Sequence, residues 1–369
     1  MSNYDERLLA YEKMYLDYED ELLFLIAYWL RQGLDEYDIG DNIEQWKTEQ
    51  LLKTNNANHE TVNRHKRLSL IEVVALVSVI AKKEKETLLE QSSRYLDAVS
   101  KFKDVNKQEA LNNVLDKLNR ETKQIAIEQI EEQMKSSETI LDNLDKGFRE
   151  ALEEIAKEVS AGRKTIYDAT YEVARKWAGK GLTVLERRDG SKLSVEGYIS
   201  GSLRTIQKLV AVQLQEKMFD ELGIDLIETT ALNDSRTTHI PFQGKIYSRS
   251  GTSLKYPPLA STGYGTITGM ITGINCRHRM YPYDERIGQT FKPTDEEQTA
   301  QNYRISQKQR ELERNVRRAK KELKMLEDLD APLDELARSR AKLHSRQDKL
   351  REFIEVTGRR HRPERVRTQ

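Results

Sequence analysis

The placement of proline constrains this chain more than any other feature. All seven prolines lie at Pro241 or later. Proline lacks a backbone donor and clashes with the preceding turn, so it breaks helix interiors. Residues 1–240, free of it, therefore read as a helical array. Across 4–34 the positions Leu8, Leu9, Tyr11, Met14, Tyr15, Tyr18, Leu22, Leu25, Ile26 and Trp29 recur at helical spacing. "DEYDIGDNIEQW" reads as a turn into a second helix, and "NHETVNRHKR" leads into an apolar run at 68–81. From Lys82 to about Lys157 apolar residues return every three or four positions, which suits an elongated bundle or a coiled pair. A further helix should end at Gly179–Gly181. A β-hairpin turning at Arg187–Ser191 follows, then a helix from about Ser194 to Leu222.

Composition agrees with long helices. Of the 369 residues 33% are charged and 37% apolar, wetter than a compact enzyme of this length. Basic and acidic residues balance at 61 each, so only the distribution of charge can point to a partner. A single cysteine makes no internal disulfide, and a reducing compartment is expected. "MSNYDERLLA" lacks the basic start of a secretory signal. The apolar runs 22–30 and 70–81 fall short of the roughly 18–20 residues that cross a bilayer, so no membrane anchor is expected.

Residues 224–290 change character. Ile224 to Thr230 is rich in β-formers, "GKIYSRSG" reads as another strand, and Gly, Ser, Thr and Pro crowd the rest. The expected fold is mainly α with a small α+β loop-rich domain, elongated helical arms flanking a compact node. The expected divisions are 1–160, 161–223, 224–292 and 295–369. In the last, the break at "DLDAPLDEL" predicts a helical hairpin, with Asp330 capping the second helix and Pro332 in its first turn.

Such an irregular node needs a staple, either a polar network or a metal. The only cysteine, Cys276, stands two residues before His278, and there are six histidines in all. Asp234, His239, Cys276 and His278 together offer a carboxylate, two imidazoles and a thiolate, the donor set of a tetrahedral structural zinc ion. Cys-x-His is tight for two ligands to one ion. Three readings stay open. Cys276 can be a small buried hydrophobe with His239 and His278 bonded to loop carbonyls. The four can bind a metal. Or His239 and His278 can work as acid and base with Arg236 or Arg277 on a phosphate, a nuclease-like site. Cys276 and His278 would share one face of an extended segment. Arg236 can also be structural: Asp234 and Arg236 flank a turn, arginine forks pair readily with carboxylates, and "NDSRTTH" would then anchor the loop domain onto the preceding strand.

The C-terminal end is basic: 301–369 hold 20 Lys and Arg against 12 Asp and Glu. Arg359, Arg360, Arg362, Arg365 and Arg367 stand without apolar neighbours, a run expected to hold no fixed shape. It suits sequence-independent, salt-sensitive phosphate contact, or simply the favourable end of a helix dipole. No aromatic interleaving points to base stacking. At the other end Tyr11, Tyr15, Tyr18, Tyr28 and Trp29 suit either a core or a partner surface.

Three stretches in order carry a resemblance: "GLTVLERRDGSKLSVEGYISGSLRT", "ALNDSRTTHIPFQGKIY" and "GINCRHRMYPYD". Over about 160–290 the chain resembles the minor capsid protein 2 family of tailed phages, among the head morphogenesis proteins encoded beside the portal gene. The hairpin after Phe291 is not part of that pattern. The resemblance implies a structural virion protein without known catalysis, in several copies inside the head and in the host cytoplasm during assembly. Its partners would be the portal protein, the inner surface of the major capsid protein and double-stranded genomic DNA. Its work would be head assembly, DNA packaging or ejection. The tyrosine stripe would then dock on the portal and the arginine tail would meet DNA. Nuclease or toxin activity is suspected of related modules elsewhere, so a phage-delivered enzyme at 224–292 on a helical arm is the alternative that it implies.

Overall fold

A computed structural model describes residues 42–366 apart from 181–182, 187–191, 267 and 274–275, and before them 17, 20, 21, 24, 27, 28 and 30–35. Side chains are described for these except at 53–62, 65–70, 132–148, 178–206 and 364. The fold is mainly α with a small antiparallel sheet, as expected. Helices α1 (Ile43–Val99), α2 (Lys107–Ser160) and α3 (Ile166–Lys180) come first. Strands β1 (Thr183–Glu186) and β2 (Lys192–Ser194) pair antiparallel as the predicted hairpin, and α4 (Val195–Glu221) follows. Strands β3 (Leu226–Thr229), β4 (Ile246–Ser248) and β5 (Met280–Pro282) form the second sheet, and α5 (Glu296–Asp328) and α6 (Leu333–Thr357) close the chain.

Two compact units divide the chain, each assembled from separated segments. One holds Glu72–Gln133 and Gly201–Ser306; the other holds most of 10–71 with Met134–Ser200 and Gln307–Gln369. In the first unit the predicted apolar run buries Val73, Leu76, Val77, Ile80 and Ala81, and the stripe continues through Leu88 to Leu96 and Val99. Steps of three and four keep one helix face inward. The polar pattern after Lys82 is broken at 100–106. There Asn106 caps α2: its Oδ1 accepts from the Glu109 amide at 3.2 Å while its Nδ2 donates to the Glu109 carboxylate at 3.1 Å. This is a reciprocal N-terminal cap. Lys85 donates to Asn119 at 2.9 Å and Lys107 pairs with Asp97, so the two helices run as a hairpin here.

In the small sheet the order is β4-β3-β5, all antiparallel, with Ile227 opposite both Tyr247 and Pro282. Pro282 cannot donate to a ladder, and it sits at the end of an edge strand where none is needed. β3 and β4 lie in the two runs expected to be extended; β5 was not foreseen. The sheet core is Ile227, Tyr247 and Met280, each 2% exposed or less. It is a small core, and buried polar groups complete it. The Glu228 carboxylate, 3% exposed, accepts the amides of Thr290 and Phe291 at 2.8 and 3.0 Å. Tyr247 donates its hydroxyl to the Phe242 carbonyl at 2.8 Å. From α4, Gln215 donates to the Met280 carbonyl at 2.7 Å, and Glu216 receives Arg249 and, at 2.6 Å, the Tyr264 hydroxyl. Gly269 lies so close under Gly263 that a Cβ there would stand 1.8 Å from the Gly263 carbonyl oxygen. Only glycine permits that approach.

In the second unit α5 and α6 form the expected hairpin, but Asp330 does not cap it. Asp330 takes a left-handed conformation (φ 48°) and pairs with Arg31 at 2.5 Å. Pro332 occupies the cap position, with no side-chain cap bond, and α6 starts after it. The carboxylate is spent on a residue 299 positions away, a partner no local rule contains.

Candidate functional site

The deepest cluster of chemically active side chains among the described residues is His239, Cys276 and His278, whose ligand atoms all lie within 4.8 Å of one another. His239 precedes the short 3₁₀ turn Ile240–Phe242 and closes the "NDSRTTH" turn with its amide on the Arg236 carbonyl at 2.8 Å. Its side chain makes no cap bond to that turn, so the ring is left to point inward. Cys276 and His278 precede β5. Being two apart in extended chain, they present both side chains on one side. The Cys-x-His spacing, tight on paper, brings sulfur and imidazole within 3.3 Å.

Distances define the arrangement. Cys276 Sγ lies 3.3 Å from His278 Nδ1 and 3.7 Å from His239 Nδ1. The other ring nitrogens face acceptors: His239 Nε2 is 3.0 Å from the Thr268 carbonyl oxygen, and His278 Nε2 is 2.9 Å from Gln243 Oε1. A carbonyl oxygen only accepts, so both Nε2 atoms carry hydrogen. Both Nδ1 lone pairs therefore turn toward the one sulfur. The amide of Ile271, a β-branched residue held at φ 74°, also donates to that sulfur at 3.1 Å. Left-handed backbone is costly for such a residue and persists only where its surroundings demand it.

The electrostatics favour the thiolate. Burial opposes charge on Cys276, but the contacts of its sulfur with His239 and His278, whose Nδ1 atoms can take up the thiol proton, and the Lys208 charge outweigh it, and the thiol falls to about 5. His239 moves up: burial works against its charged form, while the Cys276 sulfur and the Thr268 carbonyl favour it more. Lys208, donating to the His278 carbonyl, is lowered to about 8 by desolvation.

Around the cluster runs a shell that the sequence did not advertise. Gln243, fully buried, uses all its capacity: Oε1 accepts from His278 and from the Leu232 amide at 3.0 Å, and Nε2 donates to the Leu232 carbonyl at 3.2 Å and to Thr294 at 2.5 Å. A polar residue inside "IPFQG" was the available signal. Arg279 clasps the buried Glu84 of α1 with two bonds of 2.9 Å.

Of the four residues expected on a metal, the structure gathers three. Asp234 pairs instead with Arg277 at 2.5 Å, an arginine from outside the "NDSRTTH" turn. Arg236 is half-buried on the same turn. His239 and His278 are 3% and 2% exposed, so neither imidazole lines an open cleft.

A profile of the family described as phage minor capsid protein 2 matches residues 5–355. The chain belongs to that family. The match runs through α5 and nearly all of α6, so the hairpin after Phe291, absent from the resembling motifs, is part of the family pattern too. Two curated relatives are called structural proteins. The one from Lactococcus phage LL-H is 32% identical over 169 residues, 44% of this chain and 45% of that protein. The one from Lactococcus phage mv4 is 45% identical over 67 residues, 18% of this chain and 54% of that protein. The chain thus spans about half the length of the curated relatives it matches. No solved structure matches. As a member of this phage family the chain is a structural virion component, and among the described residues no helix is long and apolar enough to cross a membrane.

The remaining predicted residues fall outside this cluster. Tyr11, Tyr15, Tyr18, Trp29 and Arg367 lie outside the described residues. Tyr28 is 42% exposed and stacks on the exposed Phe24, while Ala27, Leu30 and Leu34 are buried. The C-terminal arginines depart from expectation. Rather than holding no shape, the segment around them folds back along α5. Arg359 donates to Gln309 at 2.6 Å, Arg365 reaches the buried Glu313 at 3.4 Å, and Lys320 donates to the Val366 carbonyl at 2.7 Å. Arg362 is half-buried, and Arg360 is exposed.

Proposed function

We propose that this minor capsid protein works inside the phage head beside the portal, as an assembly element without turnover. The observation that carries the reading is a central cluster whose imidazoles are sealed from solvent, in a chain that matches a capsid family over residues 5–355. Sealed histidines suit a rigid node, whereas acid–base chemistry on a phosphate needs an open approach. The exposed Phe24 and Tyr28, beside the buried Ala27, Leu30 and Leu34, support docking on the portal or the inner surface of the major capsid protein. Exposed Arg360, with the basic excess of 301–369, supports non-specific, salt-dependent contact with packaged double-stranded DNA. Several copies would act per particle during head assembly, packaging or ejection.

Quantitative mass spectrometry of purified, DNA-filled particles tests this reading. A low and constant copy number that survives external nuclease, with crosslinks from the segment around Tyr28 to the portal protein, is the expected result. A chain absent from particles would overturn the reading and direct attention to enzyme assays of 224–292.

A further inference from the structure

We propose that His239, Cys276 and His278 bind one thiolate-preferring divalent metal ion, with zinc the best-suited ion, through Cys276 Sγ and the two Nδ1 atoms. Tetrahedral zinc with a Zn–S bond of about 2.3 Å and Zn–N bonds of about 2.05 Å sets its sulfur and nitrogen ligands about 3.5 Å apart. The sulfur-to-nitrogen distances here are 3.3 and 3.7 Å, on either side of that value. The three donor atoms lie within 4.8 Å of one another, close enough to share one ion.

The hydrogen-bond inventory points the same way. Both Nε2 atoms are committed to carbonyl oxygens, those of Thr268 and Gln243, so both Nδ1 atoms arrive as lone pairs. In the neutral site the sulfur and the two Nδ1 atoms share one hydrogen, whether it sits on sulfur or on a ring, and it can satisfy only one of the two contacts. The other lone pair would then face sulfur in a buried site, which is unfavourable. One cation satisfies all three donors at once. A ligating histidine whose second nitrogen is held by a carbonyl is the usual outer arrangement of a protein metal site, since it fixes tautomer and ring direction. Here both histidines have it, and the amide of Ile271 adds a bond to the sulfur.

The donor set selects the ion. One thiolate with two imidazoles favours zinc over magnesium or calcium, which take oxygen ligands. Asp234 is held by Arg277, so the set has three members and leaves the fourth position of a tetrahedral ion to water. The ion would join the "NDSRTTH" turn to the "NCRH" segment, 37 residues apart between His239 and Cys276, in a module whose apolar core is small. The virion role does not enter the argument, and the two stand or fall separately.

The test uses the purified full-length chain, stripped with a chelator and titrated with Co²⁺, followed by displacement with Zn²⁺. The expected result is saturation at one equivalent, with the intense visible bands of tetrahedral cobalt and a sulfur-to-cobalt charge-transfer band that Zn²⁺ abolishes. Cys276→Ser should lose the charge-transfer band. His239→Ala and His278→Ala should weaken binding by more than the roughly 10-fold typical of outer-shell changes. His239→Cys restores a soft donor and should retain uptake even if the alanine variant does not fold. Asp234→Ala should bind like the unmodified chain. A folded unmodified chain with no charge-transfer band, or a Cys276→Ser chain that binds as tightly, would overturn the proposal. Loss of uptake in a folded Asp234→Ala chain would overturn the three-donor assignment.

Discussion

The loop module of 224–294 and the helical hairpin of 307–357 are two answers to the same problem of ordering a highly charged chain. The hairpin satisfies its backbone internally, one helical bond per residue, and needs side chains only along a seam. Val316, Ala319, Met325, Leu326, Leu329 and Leu350 are buried there. Two buried carboxylates break the apolar pattern, and each has a cation: Glu313 with Arg365 and Glu322 with Lys342. The module has three short strands, and long side-chain bonds replace the missing ladder. Gln243, Glu228, Tyr247 and Arg249 each bond backbone from elsewhere in the chain. Helical order is redundant and local, whereas loop order depends on a few residues that cannot be exchanged. Substitutions of similar chemistry should therefore cost the module far more than the hairpin.

The sharpest break of that contrast is Gly269→Ala. Its Cβ would meet the Gly263 carbonyl oxygen, a backbone atom that cannot swing away, so a loss of about 3 kcal/mol or more is expected. Chemical denaturation of the full chain measures it, and a loss below about 1 kcal/mol would mean that the turn has slack. Next comes Gln243→Leu, which leaves the His278 ring N–H only the longer contact with Ser235 Oγ at 3.4 Å and takes their partner from both polar groups of Leu232. About 2–3 kcal/mol should go, because buried groups without partners carry their full desolvation penalty. If Gln243→Leu costs no more than a surface change, the network is not what orders the module.

The hairpin sharpens the comparison from the other side. Lys342→Ala strands the Glu322 carboxylate, only 6% exposed, and should cost about 2 kcal/mol. Glu322→Gln leaves a half-exposed lysine that water can take up, and should cost about 1 kcal/mol or less. Equal losses in thermal melts would contradict this asymmetry. A smaller effect is expected at Asp284, where the hydrogen-bonded Arg286 guanidinium holds the carboxyl near a pKa of about 2. The folded value lies below the unfolded one, so this contribution is complete above pH ~4 and is lost as pH falls toward 2. Asp284→Asn should flatten that part of the stability–pH curve; an unchanged curve would remove the pair from the account. Smallest of all is Asp348→Ala. Its pair with Arg351 is exposed on both sides, and less than about 0.5 kcal/mol should be lost.

How much of this was legible in the sequence follows the same division. The hairpin, α3, the β1–β2 turn region, α4 and the extended runs at β3 and β4 were legible because periodicity and turn residues act within a few positions. The cap at Asn106 was also present, as an Asn with Glu three residues on, but the polar pattern after Lys82 hid it. The continuity of α1 through "NHETVNRHKR" follows from the absence of any Gly or Pro there; polarity alone does not stop a helix. The clustering of Cys276 with two histidines was legible from residue type and rarity. The loss of Asp234 to Arg277 was not, since either partner was open to it. Asp330 and the C-terminal arginines show the limit most clearly. Their partners Arg31, Gln309 and Glu313 lie some 50 to 300 residues away in sequence, and no local pattern encodes that choice.

Hydrogen exchange with mass spectrometry on the full chain, unmodified and Cys276→Ser, tests the central claim most directly. The account predicts that the amides of Leu226–Thr229, Ile246–Ser248, Met280 and Tyr281 lose protection in the variant while those of α5 beyond Ser306 and of α6 keep theirs. Uniform loss across both regions, or undiminished protection of the small sheet, would contradict it.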